Sequence, residues 1–233
     1  KPIIALVSSG RALELTWLDE NIPAILATWS LGSEAGNAVA SVLFGEYNPS
    51  GKLPVSFPRA VGQLPLYYNH KSTGRAYDGD HSEPGSERVY RSRYRDVPNT
   101  PLYPFGYGLS YNKYKYDNLK LNTDKLTSTG QLQVSIDVTN TGKLAGEEVV
   151  QLYTRDLVGS ITRPVKELKK FQKLSFTPGE KKTVTFTLTP QDLAFWRADL
   201  TYGAEPGDFK VFVGPNSRDV QEASFSLSKD SSL

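Results

Sequence analysis

The densest concentration of reactive side chains in this sequence is DGDHSEPGSERVYRSRYRD, residues 78–96. Arg91, Arg93 and Arg95 alternate there with Tyr90 and Tyr94, and Glu83 and Glu87 lie just upstream. Planar guanidinium groups and aromatic faces hold sugar rings well, through hydrogen bonds and stacking. They clamp one domain onto another equally well, and clamping is the favoured reading while both stay open. On the binding reading Glu87, Arg91, Arg93 and Tyr94 are the candidate substrate-binding residues. As catalytic acids Glu83 and Glu87 have little to recommend them, because neither has a partner carboxylate at a fixed spacing. Glu34, in GSEAG, reads as a helix-start residue, where the dipole favours negative charge.

Other chemistries are poorly supplied. The two histidines, His70 and His81, form no helical i, i+4 pair, and a zinc site wants three or four ligands. No G-x-S-x-G elbow offers a nucleophilic serine. Cysteine is absent, which excludes disulfides, thiolate nucleophiles and Cys-based zinc sites. A net charge of +2 gives no reason to expect nucleic acid, and no apolar run reaches the ~18 residues of a membrane span. The aromatic run NTPLYPFGYGLSY, residues 99–111, could be a stacking platform or a packed seam between domains. Its prolines and glycines bend the backbone and should turn the rings in different directions, so the seam reading is preferred. Trp29 ends an apolar strand, at the kind of edge that borders ligand crevices in open α/β sheets, although a core role is the better expectation.

The elements that would position these residues fall into two grammars. PIIALVSS (2–9) and IPAILATW (22–29) are apolar runs expected to be strands, the first covered on both faces. Ala38, Val39, Val42 and Leu43 follow helical spacing, with Gly45 as the stop. Together they read as the end of an α/β sandwich domain, over residues 1–60. Residues 61–111, interrupted by five prolines, are expected to be an interdomain linker. From 112 to 233 the pattern is all-β, with candidate strands at 115–121, 132–141, 147–156, 166–176, 181–189, 208–215 and 222–227. Alternation such as Leu132, Val134, Ile136 and Val138 points to an antiparallel sandwich. Without a Cys pair the fibronectin type III-like form is preferred. Methionine is also absent, and the chain reads as part of something longer.

Five segments in one order, AILATWSLGSEAGNAVASVLFGEYNPSGKLPVSFPR (24–59), PLYYNHKSTGRAYD (65–78), SRYRDVPNTPLYPFGYGLSY (92–111), DVTNTGKLAGEEVVQLYTRD (137–156) and RPVKELKKFQKLSFTPGE (163–180), resemble the C-terminal third of glycoside hydrolase family 3, in particular its bacterial periplasmic β-glucosidases. The resemblance implies a parent with a (β/α)8-like barrel, an α/β sandwich and a fibronectin-like module, of which this chain matches the end of the second and all of the third. It implies a retaining, exo-acting β-glucosidase, or a β-xylosidase, acting on β-glucosides or oligosaccharides in the periplasm or outside the cell. A retaining enzyme needs two carboxyl groups ~5–5.5 Å apart. In the family the nucleophile Asp lies on the barrel and the acid/base Glu upstream of the segment matching Lys1, so no catalytic residue is expected here and the isolated chain is expected to be inactive. No metal or organic cofactor is implied. The expected partners are the missing barrel and α/β part, with a homodimer as one assembly to consider, and neither nucleic acid nor membrane. The alternative is a non-catalytic carbohydrate-binding or adhesion β-sandwich, which a row of exposed aromatics on one sandwich face would support; Tyr153 and Phe171 are the candidates.

Overall fold

The computed structural model describes residues 1–72, 74–75 and 92–228. They form two compact units: the first holds the described residues of 1–48, 53–68 and 73–107, the second those of 49–52, 69–72 and 108–233. The chain thus visits the second unit twice, briefly, before entering it for good.

In the first unit β1 (Ile4–Val7) pairs in parallel with β2 (Ala24–Ala27), Ile4 opposite Ala24 and Val7 opposite Ala27. Between them runs α1 (Thr16–Asn21), and after β2 comes α2 (Ala35–Leu43). Gly45, at φ +80°, follows α2 as the expected helix stop. One face of this small sheet packs on a core of Leu15, Phe57 and Leu102, joined by Val7, Ile25 and Trp29. The other face is open: Ile4 and Leu6 are 45% and 49% exposed. The expectation that β1 is covered on both faces is therefore corrected, since the described residues place no layer over its outer side.

The second unit is a sandwich. Its larger sheet has the order β4–β12–β11–β6–β7, from β4 (Lys125–Leu126), β6 (Gly146–Asp156), β7 (Glu167–Phe176), β11 (Gly207–Gly214) and β12 (Gln221–Leu227). The smaller has β3 (Tyr114–Leu121), β5 (Leu132–Asn140) and β8 (Lys181–Leu188), in the order β3–β5–β8. A hairpin of β9 (Phe195–Trp196) and β10 (Tyr202–Gly203) stands apart. All seven expected strands are present, with ends within about a residue of those read from alternation. Leu132, Val134, Ile136 and Val138 all point inward and are essentially inaccessible to solvent. They meet Val150, Leu152, Phe209, Val211 and Val213 of the facing sheet in one continuous core. Between β7 and β8 the Thr177 carbonyl accepts the Glu180 N–H at 3.1 Å across Pro178 and Gly179. Gly179 has φ +76°, as the third position of a type II turn requires.

Candidate functional site

The parallel strands β1 and β2 both end at one crevice of about 750 Å3, where Ser8, Ser9 and Gly10 follow β1 and Thr28, Trp29 and Ser30 follow β2. Ligands of open α/β sheets bind beyond the carboxyl ends of the strands, so this is where the first unit would meet one. Two hydroxyls are pre-arranged there. Thr28 Oγ1 donates to the Val7 carbonyl at 3.1 Å, which leaves Ser8 Oγ to donate to Thr28 Oγ1 at 2.7 Å. Trp29 has φ +51°, a left-handed conformation that is costly for a bulky side chain. Its ring meets Phe57 edge-on at 5.9 Å. The far wall is α2, through Val39 and Leu43, with Phe44 just beyond its end. Glu34 sits at the start of that helix, its Oε2 accepting from Asn37 Nδ2 at 2.6 Å. The crevice offers hydroxyls, an indole and an apolar wall. Among the described residues its lining has neither a carboxylate pair nor a base beside a nucleophile, so the groups it offers are binding groups.

Around Gln63, a side chain 1% exposed, the segments 59–63 and 94–100 are laced together. Gln63 Oε1 accepts the Arg59 N–H at 2.6 Å and Gln63 Nε2 donates to the Pro98 carbonyl at 2.8 Å. Tyr94, a candidate sugar contact, gives its hydroxyl to the Gln63 carbonyl at 3.2 Å, and its own N–H goes to Asn99 Oδ1 at 2.9 Å. Arg93 is half-buried beside it. The other two candidates, Glu87 and Arg91, lie outside the described residues, as do Glu83 and His81. His70 is exposed, with Nδ1 3.2 Å from the Lys71 carbonyl oxygen, and among the described residues no group of acids and histidines could hold a metal.

Three of the four aromatics in the run are stacked. Tyr103 and Tyr107 stack at 5.3 Å and 18°, and Phe105 stacks on Tyr68 at 4.1 Å and 15°. The expectation of diverging rings is corrected for the first pair. The Pro104 carbonyl accepts the Tyr107 N–H at 3.1 Å, with Gly106 at φ +79°, and this turn brings the two tyrosines face to face without a helix. Tyr103 donates its phenol to Asp19 Oδ1 at 2.6 Å; burial, then that carboxylate, push the phenol pKa well above its ordinary value. In the sandwich, Tyr153 is fully buried and donates to Gln151 Oε1, whereas Phe171 is 64% exposed. Tyr153 is thus core, and the proposed row of exposed sandwich-face aromatics is not formed by these two residues.

The sequence pattern of the glycosyl hydrolase family 3 C-terminal domain matches residues 1–111, and that of a fibronectin type III-like domain matches residues 148–217. The chain belongs to glycoside hydrolase family 3, over the family's C-terminal portion. It is 48% identical to a periplasmic β-glucosidase of Salmonella typhimurium over 227 residues, 97% of this chain but 29% of that protein. A β-xylosidase of Formosa agariphila is 44% identical over 218 residues, 94% of this chain and 28% of the relative. Among solved structures, a β-glucosidase from Listeria innocua in complex with glucose superposes with a TM-score of 0.89 at 42% identity, covering 98% of this chain and 31% of that one. The chain therefore spans less than a third of the length of these relatives. The family-domain match also takes in residues 61–111, the stretch expected to connect the domains.

Proposed function

We propose that this chain is the non-catalytic C-terminal part of a retaining, exo-acting β-glucosidase of the periplasm or the extracellular space, with β-xylosidase as the nearest alternative activity. One observation carries the reading: almost the whole chain aligns at 48% identity with less than a third of a periplasmic β-glucosidase. The crevice beyond β1 and β2 fits a supporting role, since it lacks the paired carboxyl groups, ~5–5.5 Å apart, that glycoside retention needs. The open outer face of β1 would be covered by the preceding α/β part of the parent, and residues 61–111 would connect its domains. Pure chain supplied with an aryl β-glucoside is expected to release no more phenol than buffer, while the full-length protein containing it turns the substrate over. Turnover by the isolated chain would overturn the proposal.

Within that parent, Glu87, Arg91, Arg93 and Tyr94 would line a subsite of the cleft, the arginines and Glu87 bonding sugar hydroxyls and Tyr94 bracing the loop through Gln63. Removing an interaction made equally in ground and transition states raises KM and spares kcat. Arg91→Ala and Arg93→Ala in the full-length enzyme are each expected to raise KM about tenfold, the effect of one charge-assisted hydrogen bond of roughly 1.5 kcal/mol. Unchanged KM in both variants would return these arginines to domain clamping.

A further inference from the structure

The hairpin of β9 and β10 has two unlike faces. Phe195 is 5% exposed and carries the Arg163 guanidinium 3.9 Å above its ring. Trp196 and Tyr202, directly opposite each other in the register, are 65% and 50% exposed, with ring centroids 5.2 Å apart and planes tilted by 53°. At the tip Leu200 is 81% exposed and holds φ +65°, a conformation that glycine or asparagine adopts more cheaply. The loop is nonetheless firmly tied. Arg197 Nη2 donates to the Ala204 carbonyl at 2.6 Å, and Arg197 Nε lies 3.2 Å from Glu205 Oε1. Glu205 in turn accepts the Ser160 N–H at 2.8 Å, and Asp199 Oδ1 accepts from Thr201 N and Oγ1 at 3.0 and 2.7 Å. Two large rings are thus held out in water on a tied hairpin whose opposite face buries Phe195.

We propose that Trp196 and Tyr202 form a carbohydrate-binding site on the sandwich that takes pyranose rings of a soluble β-glucan chain. Size favours a small ligand over a separate protein partner. A side chain of this kind buries about 150–250 Å2 in full, so the exposed parts of both rings come to roughly 250 Å2, whereas a stable protein interface takes about 800 Å2 from each partner. One or two sugar rings match that area. The chemistry also matches, because a pyranose has an apolar C–H face rimmed by hydroxyls, and the rings are flanked by the charged Arg197 and Asp199 of the connecting turn. The tilt of 53° rules out a flat platform for crystalline polysaccharide and suits a single twisted chain.

The choice of glucan rests on the glycosidase reading, but the test does not involve catalysis, so the two can fail separately. The 233-residue chain would be run in native gels with and without laminarin or barley mixed-linkage β-glucan, beside Trp196→Ala, Tyr202→Ala and a Phe171→Ala control, and its mass in solution measured by light scattering. Retardation by either glucan, weakened at least tenfold in Trp196→Ala and unchanged in Phe171→Ala, is the expected result. Because both hairpin rings face solvent, thermal midpoints should stay within about 2 °C of the parent chain. No retardation by either glucan, or retardation indifferent to both hairpin substitutions, would overturn the site. So would a dimer that Trp196→Ala dissociates, which would assign the rings to a second copy of the chain.

Discussion

Lys52→Met is expected to lower the thermal midpoint of the second unit by on the order of 10–20 °C, a loss of about 3–5 kcal/mol. Lys52 Nζ lies 2.9 Å from Glu148 Oε1, and the side chains are only 11% and 5% exposed. The same oxygen accepts the Tyr116 phenol at 2.8 Å. Burial, followed by the Glu148 charge, pushes that phenol's pKa far above its usual value, so Tyr116 stays a donor throughout the working range. Removing the ammonium leaves a buried carboxylate with a neutral partner, and an uncompensated buried charge is what makes a broken pair expensive. Lys52→Met combined with Glu148→Gln removes both charges and keeps an acceptor for Tyr116. The double variant should therefore recover most of the loss, and a double variant as unstable as the single one would show that the pair's charge is not the cause. The effect reaches the chain path as well. Residues 49–52 belong to the second unit although both neighbouring stretches belong to the first. They are held by Lys52, by Ser50 Oγ donating to Glu147 Oε2 at 3.2 Å, and by an approach so close that a Cβ on Gly108 would lie 2.1 Å from the Gly51 carbonyl oxygen.

That excursion was invisible in the sequence, where residues 1–60 read as one unbroken domain end. The strands of the sandwich were legible because each has a buried face and an open one, so alternation carries the answer residue by residue. The first unit was harder. Its apolar run at Ile4–Val7 reports what the strand is built to bury, and the described residues leave Ile4 and Leu6 substantially exposed. Helix α1, six residues long, is too short to show a period. It is closed by Asn21 Nδ2 donating to the Trp17 carbonyl at 2.8 Å. Of the candidate site, Arg93 and Tyr94 could be located, while the residues that organise their neighbourhood could not be foreseen. Gln63 looks like a surface amide until its acceptors 35 and 37 residues away, the Pro98 and Thr100 carbonyls, are known. The aromatic hairpin escaped for a related reason, because two-residue strands leave no pattern, and its significance lies in exposure.

Asn140 shows the same blindness in its strongest form, and replacing it should destabilise the sandwich severely. It ends β5 with no solvent exposure. Its Nδ2 donates to the carbonyls of Leu144 at 2.8 Å and Thr177 at 3.2 Å, and its Oδ1 accepts the Gly142 N–H at 2.9 Å. Asn112 Nδ2 donates to the same Leu144 carbonyl at 2.8 Å, so that oxygen keeps a partner if Asn140 is truncated. The Thr177 carbonyl likewise keeps the Glu180 N–H, so the Gly142 N–H is the group that loses the partner Asn140 supplies. At about 1–3 kcal/mol for the abandoned Gly142 N–H and about 0.5–1.5 kcal/mol for each of the two lost bonds to carbonyls, Asn140→Ala should cost roughly 2–5 kcal/mol, with little dependence on pH. Asn140→Asp has nearly the same shape and should behave differently. One oxygen can still accept from Gly142, but the other would face two carbonyl oxygens, which a carboxylate repels and a protonated carboxyl can serve. Its folded pKa must then rise above the unfolded value of about 3.9. Between those two values the folded state binds more protons than the unfolded one, so stability falls as pH rises and the deficit is greatest at neutrality. Urea unfolding at pH 7 and pH 5 is expected to place Asn140→Asp below Asn140→Ala at the higher pH and to narrow the gap at the lower. A constant gap between the two variants would mean that the position tolerates charge, and that the bonds to Leu144 and Thr177 do not hold this turn.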